Sequence, residues 1–335
     1  ITEIQKVKYC SFATAKTIQM KIVGTGSALP QQSITNENLS KFLDTSDEWI
    51  ISRTGIKERR LITTEDLLEL AVKASKSAIE AANIHPSQLD YIICSNVANN
   101  FVTPAMSCIL QKRLEAQCPC VDINGACVGF IFALDMAEAL QKAGRANHIL
   151  IICAEEPSKF CNWKERDTSV LFGDGAGAVV ISQGDRLKSI RLTTTSKPEV
   201  LYYQRKMEQT PFDEGTEMQN PLVMSGRDVF KMAVASSIQD VNAVLKEAGL
   251  ETSQVDWFLL HQANARIIDS IRANFSCDKE KFPLNLDKYG NTSSASIPIL
   301  LDELVRTNKI KSGDNLVLSA FGAGFVSGAC VLQWN

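Results

Sequence analysis

Two glycine-rich turns, each running straight into a strand-like segment, stand at matching points of the chain: FGDGAGAVVIS at 172–182 and FGAGFVSGACVLQW at 321–334. Ahead of each, apolar runs of strand length alternate with longer amphipathic stretches. The first series reads KIVGTG, a helical pattern over 65–83, YIICSNV, a helix over 105–116, CVDIN, a helix over 127–143 and HILIICAE. After a polar stretch at about 195–223 the rhythm resumes with helix 227–248, VDWFLLH, helix 264–274, helix 293–308 and NLVLSAF. Such alternation predicts an α/β sandwich, because each sheet needs helices over its apolar faces. Its recurrence, weak as an internal repeat, predicts two halves of similar build.

Glycine-rich turns invite a dinucleotide reading, but context argues against it. In both turns a strand follows where a pyrophosphate needs a helix N-terminus. GTGSALP at 24–30 has no third glycine and closes on a proline. These glycines are better suited to turns and to close backbone approach.

Bulk properties narrow the class further. At 335 residues and 45% hydrophobic composition, the chain can bury one large core or two ordinary ones. The net charge of −3, from 35 basic and 38 acidic residues, does not point to generic nucleic-acid binding. No apolar run approaches the roughly 20 residues of a membrane span, and residues 1–19 lack the apolar core of a secretory signal. A cytoplasmic protein with mostly reduced, buried cysteines is expected, although there are ten of them. Cys118 and Cys120 form a CPC pair, but His85, His148 and His261 are scattered, so no metal site is expected.

Three residues could carry chemistry. Cys127, in VDINGACVGF, precedes Phe130, Leu134, Ala137 and Leu140 at helical spacing. A thiol at a helix start has N–H groups and a dipole that favour thiolate; the alternative is an inert apolar cysteine. His261 ends the strand run VDWFLLH, the end at which α/β proteins place their sites, or it is a histidine merely satisfied there. Asn291, in KYGNTSSASIP, reads equally as a helix N-cap. Backbone N–H groups of the turn at 321–324 could form part of an oxyanion hole.

Taken together, GACVGF, HQANARII, YGNTSSASIP, FGDGAG, the terminal FGAGF and DTSDEWIISRTGIKERR at 44–60 resemble β-ketoacyl-[acyl-carrier-protein] synthase III of the thiolase superfamily, over about residues 20–335. The resemblance implies a duplicated five-layer αβαβα sandwich with two similar halves and mixed sheets. It divides the chain into an extension at 1–19, a half at 20–185 carrying the nucleophile, and a half at 186–335 carrying histidine and asparagine. The family's usual start aligns with Met20.

The implied reaction is a decarboxylative condensation of an acyl-CoA primer with malonyl-ACP, giving 3-oxoacyl-ACP through an acyl-cysteine intermediate. The resemblance assigns Cys127 as nucleophile, His261 and Asn291 as the other catalytic side chains, and the N–H groups of Cys127 and Ala323 as the oxyanion hole. It places Trp49 and Arg166 around the CoA adenine and Arg53 near its phosphates, with Gly226, Arg227 and Asn264 along the pantetheine tunnel. Phe172 and Phe321 line the acyl pocket. A loop bearing Thr103 reaches into that pocket from a second subunit of a homodimer; Thr103 replaces a bulkier residue of some acetyl-specific relatives, which leaves room for longer or branched primers. Lys231 and Arg266 fall where the acidic carrier protein docks, and the polar span at 203–222 is placed to wall the tunnel. No cofactor is implied beyond CoA thioester as substrate, and neither nucleic acid nor membrane as partner. Other readings on this fold are a condensing enzyme or acyltransferase of secondary metabolism and a noncatalytic scaffold.

Overall fold

In the computed structural model, which describes residues 20–97, 99–204 and 222–335, the two series of strand-like runs form two separate mixed sheets. The first contains β1 (Lys21–Ala28), β2 (Tyr91–Ser95), β3 (Cys120–Ile123), β4 (Ile149–Glu155) and β5 (Gly175–Ser182), in the order β1-β5-β4-β2-β3. Here β3, β2 and β4 run parallel, while β5 is antiparallel to both its neighbours. The second contains β6 (Leu187–Thr194), β7 (Trp257–Leu260), β8 (Asn315–Gly322) and β9 (Val326–Gln333), in the order β7-β8-β9-β6. Read from β6, it repeats the arrangement from β1 inward, with β7 parallel to β8 and the other pairs antiparallel. Edge strand β3 has no counterpart among the described residues of the second sheet.

Helices complete five layers. Helix α1 (Asp47–Thr54) lies at the rim, while α2 (Leu67–Ala81) covers one face of the first sheet and α3 (Met106–Arg113) packs beside it. Between the sheets lie α4 (Gly129–Lys142) and α7 (Ser296–Arg306); α5 (Gly226–Ala248) covers the far face of the second sheet, flanked by α6 (Ala265–Arg272). Sequence dictates this placement. α7 buries Ile297, Ile299, Leu300, Leu301 and Leu304, a spread too wide for a one-faced surface helix. In α2 the apolar residues Leu67, Leu70, Ala71, Ala74 and Ala78 form a single stripe, and Asp66 caps its first turn by accepting from the Leu68 N–H.

Gly24 and Gly26 of the GTG motif let α2 lie directly on β1. A Cβ at either position would come within 2.2 Å of a backbone oxygen of that helix. Between the sheets, Phe130, Leu134, Leu300 and Leu318 share one buried core. Each fully buried side chain of that size contributes about 1.5–3 kcal/mol.

The structure departs from the sequence reading locally. The helix expected from residue 127 is preceded by a 3₁₀ turn at Ala126–Val128, and α4 starts at Gly129. Another 3₁₀ turn, Ser293–Ala295, precedes α7. Strand β6 was not foreseen: its sequence, LKSIRLTT, buries only Leu187 and Ser189 and lacks a strong apolar run. Residues 1–19 and most of the expected tunnel wall at 203–222 lie outside the described residues.

Candidate active site

At the end of edge strand β3 the chain turns through Asn124, Gly125 and Ala126 into Cys127. Ala126 is in the left-handed region at φ 47°, which costs an L-residue about 1–2 kcal/mol. The Asn124 side chain holds this turn by accepting from the Ala126 N–H at 3.1 Å. On its other side the turn packs against the end of β8, where a Cβ on Gly322 would lie 2.9 Å from the Cys127 nitrogen. Glycine at 322 is therefore what lets the two halves touch at the cysteine.

The Cys127 residue keeps some exposure, but its sulfur is enclosed, and Sγ lies 3.4 Å from Ser293 Oγ. Burial pushes the thiol up to about 12, against opposing hydrogen bonds from Ser293 and the cysteine's own backbone; the Glu155 charge adds to the rise. This corrects the expectation of a thiolate favoured by a helix start. Desolvation outweighs the N–H groups of a short 3₁₀ turn, and Cys127 rests as a thiol.

His261 follows β7 directly. Its N–H donates to the Ser319 carbonyl on β8 at 2.8 Å, its Nδ1 lies 2.7 Å from Ser296 Oγ, and the Phe321 ring meets it edge-on at 5.3 Å between centroids. Burial drives its pKa down to about 3, so the imidazole is neutral near pH 7. Asn291 is fixed by backbone bonds to Leu171 and Gly173. Its Oδ1 accepts from the Ser293 N–H at 2.9 Å, so it caps the 293–295 turn. Its Nδ2 makes no hydrogen bond among the described residues and remains a donor.

Cys127, His261 and Asn291 share the floor of one cleft. Trp49, Arg53, Arg166, Gly226, Asn264, Phe172 and Phe321 also line it. Trp49 and Arg166 touch directly, with the guanidinium carbon 4.5 Å from the ring centroid, so a purine between them requires the pair to part. The Asn264 side chain is engaged at both ends, accepting from the Arg266 N–H to cap α6 and donating to the Arg53 carbonyl. A second, largely apolar cleft reaches Cys127 from the opposite side, lined by Val97, Phe132, Phe160, Phe172 and Ala323.

Other expected residues stand apart. Arg227 is exposed at the start of α5 and lines neither cleft. Lys231 on α5 and Arg266 on α6 are both exposed, and the Arg266 guanidinium lies 5.9 Å from the Phe230 ring at the cleft mouth. Thr103 is on an exposed loop outside both clefts. Ser293, Ser296 and Glu155 were not singled out from the sequence. The run of hydroxyls in GNTSSAS was the available signal for the serines; a glutamate closing the apolar run HILIICAE was the one for Glu155.

A duplicated αβαβα sandwich in which one half presents a cysteine and the other a histidine and an asparagine defines a thiolase-like condensing enzyme. Family models for 3-oxoacyl-[acyl-carrier-protein (ACP)] synthase III match residues 121–197, and for its C-terminal part residues 245–334. The beta-ketoacyl-[acyl-carrier-protein] synthase III of Clostridium acetobutylicum is 41% identical over 321 residues, covering 94% of this chain and 99% of that protein. The crystal structure of 3-oxoacyl-[acyl-carrier-protein] synthase III from Aquifex aeolicus is similar at a TM-score of 0.88 and 39% identity, covering 94% of this chain and 100% of that one. The priming beta-ketosynthase of the R1128 polyketide biosynthetic pathway is similar at a TM-score of 0.89 and 30% identity, covering 97% and 98%. The chain belongs to the 3-oxoacyl-[acyl-carrier-protein] synthase III family, acyltransferases that carry out the initiating condensation of fatty acid synthesis.

Proposed function

We propose that Cys127 takes an acyl group from acyl-CoA and that His261 and Asn291 then support decarboxylative condensation with malonyl-ACP. The observation that carries this reading is the shared cleft floor: a cysteine from one half faces two neutral donors from the other. Cys127 sulfur attacks the thioester carbonyl, and the oxyanion is met by the N–H groups of Cys127 and Ala323 as CoA leaves. Malonyl-ACP loses carbon dioxide, and the enolate oxygen accepts from the imidazole N–H and from Asn291 Nδ2. A neutral imidazole suits this step, since it donates without being consumed as an acid. Ser296 Oγ accepts from the Gln262 N–H at 3.3 Å, so its own proton is free to donate to His261 Nδ1 and leave the imidazole hydrogen on Nε2. The enolate carbon then attacks acyl-Cys127, giving 3-oxoacyl-ACP and free Cys127.

CoA enters past Trp49, Arg166, Arg53 and Gly226, and the carrier protein meets Lys231 and Arg266 at the mouth. The apolar second cleft, beside Phe172 and Ala323, holds the primer chain. The protein works in the cytoplasm as a homodimer. β3 is an open sheet edge, and Phe101 and Val102 are 52% and 67% exposed on the loop that carries Thr103, which suits cover by a second copy. No helix among the described residues is long and apolar enough to cross a membrane.

Transfer of radiolabel from acyl-CoA to protein tests the assignment. Label is expected on the wild type, with butyryl-CoA and isobutyryl-CoA accepted alongside acetyl-CoA, and none on Cys127→Ser. Full labelling of Cys127→Ser would contradict the nucleophile, and a steep preference for acetyl-CoA would contradict the roomy primer pocket.

A further inference from the structure

One buried ionisable group takes no part in the mechanism above. Glu155, the last residue of β4, has no exposed surface and stands behind the cysteine turn. Its Oε1 accepts from Ser294 Oγ at 2.6 Å, and its Oε2 accepts from the Val97 N–H at 3.2 Å. Ser95 Oγ donates to Ser294 Oγ at 3.1 Å and completes the cradle. Space for these hydroxyls depends on Gly129: a Cβ there would come within 1.9 Å of Ser95 Oγ and 3.3 Å of the Ser294 Cβ.

No basic group answers this carboxyl. The ionisable groups that face it are the thiols of Cys94, Cys127 and Cys153, all held protonated by burial. Burial raises Glu155 to about 7, opposed by hydrogen bonds from Ser294, the Val97 backbone and Ser293. Ser293 therefore lies between the two groups, bonded to Cys127 Sγ on one side and bearing on Glu155 on the other. Its backbone is pinned by Asn291 Oδ1 in the left-handed region at φ 54°.

We propose that Glu155 is a positioning residue that accepts and holds the Cys127 proton, through the Ser293 hydroxyl, while Cys127 is acylated. As the sulfur lone pair forms the bond to the thioester carbonyl, the thiol proton passes to Ser293 Oγ and the Ser293 proton to the Glu155 carboxylate. Collapse of the tetrahedral adduct breaks the bond to CoA sulfur, and Glu155 gives the proton up as CoA leaves as its thiol. Cys127 thiol and acyl-CoA thus become acyl-Cys127 and CoA thiol, with Glu155 restored. The charge balance favours this route. A thiolate formed beside a persistent carboxylate would put two negative charges in one dry site, whereas a proton shared between them keeps the count at one throughout. His261 does not fill the role: its ring is engaged by Ser296 and Phe321, and it makes no hydrogen bond to Cys127 among the described residues.

The relay rests on Cys127 as acyl acceptor, and its test separates the two claims. Single-turnover acylation by radiolabelled acetyl-CoA is followed across pH values on either side of 7 in the full chain, in Glu155→Gln and in Ser293→Ala. Wild type is expected to rise through an inflection near pH 7. Both variants are expected to lose that inflection and to acylate on the order of 100-fold more slowly at neutral pH. A purely structural Glu155 would leave rate and inflection unchanged in the folded variants. A purely electrostatic one would make Glu155→Gln faster, since removing its charge eases thiol ionisation. Either result overturns the relay while label on Cys127 keeps the nucleophile; label persisting on Cys127→Ala would instead remove the nucleophile itself. Should Glu155→Gln fail to fold, Ser293→Ala leaves the carboxyl in place and decides the question.

Discussion

Cys127 leaves β3 on a strained backbone turn backed by a buried carboxyl, whereas His261 follows β7 directly and is surrounded by neutral partners: Ser296, Ser319 and Phe321. Both halves bring their residue to a strand end by the same topology. They differ in what burial does there. In the first half burial holds a proton on a thiol that must lose it, so a neighbouring acceptor matters. In the second half burial removes a proton from an imidazole that has only to donate its remaining N–H. One half handles a charge that moves, and the other supplies fixed dipoles.

The contact between the halves is the place to break this division. Gly322→Ala puts a Cβ 2.9 Å from the Cys127 nitrogen, too close to be absorbed without displacing the cysteine turn. Acylation is expected to fall on the order of 100-fold, as for a reacting group displaced by about 1 Å. Overpacking should also lower stability by about 1–3 kcal/mol, seen in denaturant melts. Wild-type acylation in a folded Gly322→Ala protein would show that the halves are not registered through this contact.

A smaller effect distinguishes the halves by pH. The folded His261 pKa of about 3 lies below its ordinary 6.5, so the unfolded chain binds the extra proton between those values. The stabilising effect of the neutral imidazole is therefore complete above 6.5 and lost as pH falls toward 3. Relative to His261→Gln, wild type should lose on the order of 1 kcal/mol per pH unit across that window in urea melts. The Cys127 thiol, raised from 9 to about 12, acts at the other end, with stability lost as pH rises through that range. A wild-type advantage over His261→Gln that grows in acid would mean that the imidazole is charged and paired.

Much of this arrangement was legible in the order of apolar runs. The stripe of α2, the all-round apolar α7 and the strands ending at Glu155 and Leu260 follow from periodicity and length. The glycines at 24 and 26 were readable as sites of close approach, because that is what a missing Cβ permits. What sequence could not carry was depth. Whether Cys127 is a thiolate depends on how much water reaches the sulfur, a property of both halves packed together. The direct contact of Arg166 with Trp49, and the pairing of Ser293 and Ser294 with Cys127 and Glu155, likewise join residues far apart in the chain. β6 was missed for a simpler reason: it is half exposed and alternates without a long apolar run.

The division of labour is tested most directly by loading His261→Ala with a labelled acyl group and then presenting malonyl-ACP. The first half alone should suffice for loading, so Cys127 takes the label. Carbon dioxide release should then fall on the order of 100-fold or more, as for loss of a preorganised donor, with the label remaining on the cysteine. Release at the wild-type rate, or failure of the folded variant to take the label, would contradict it.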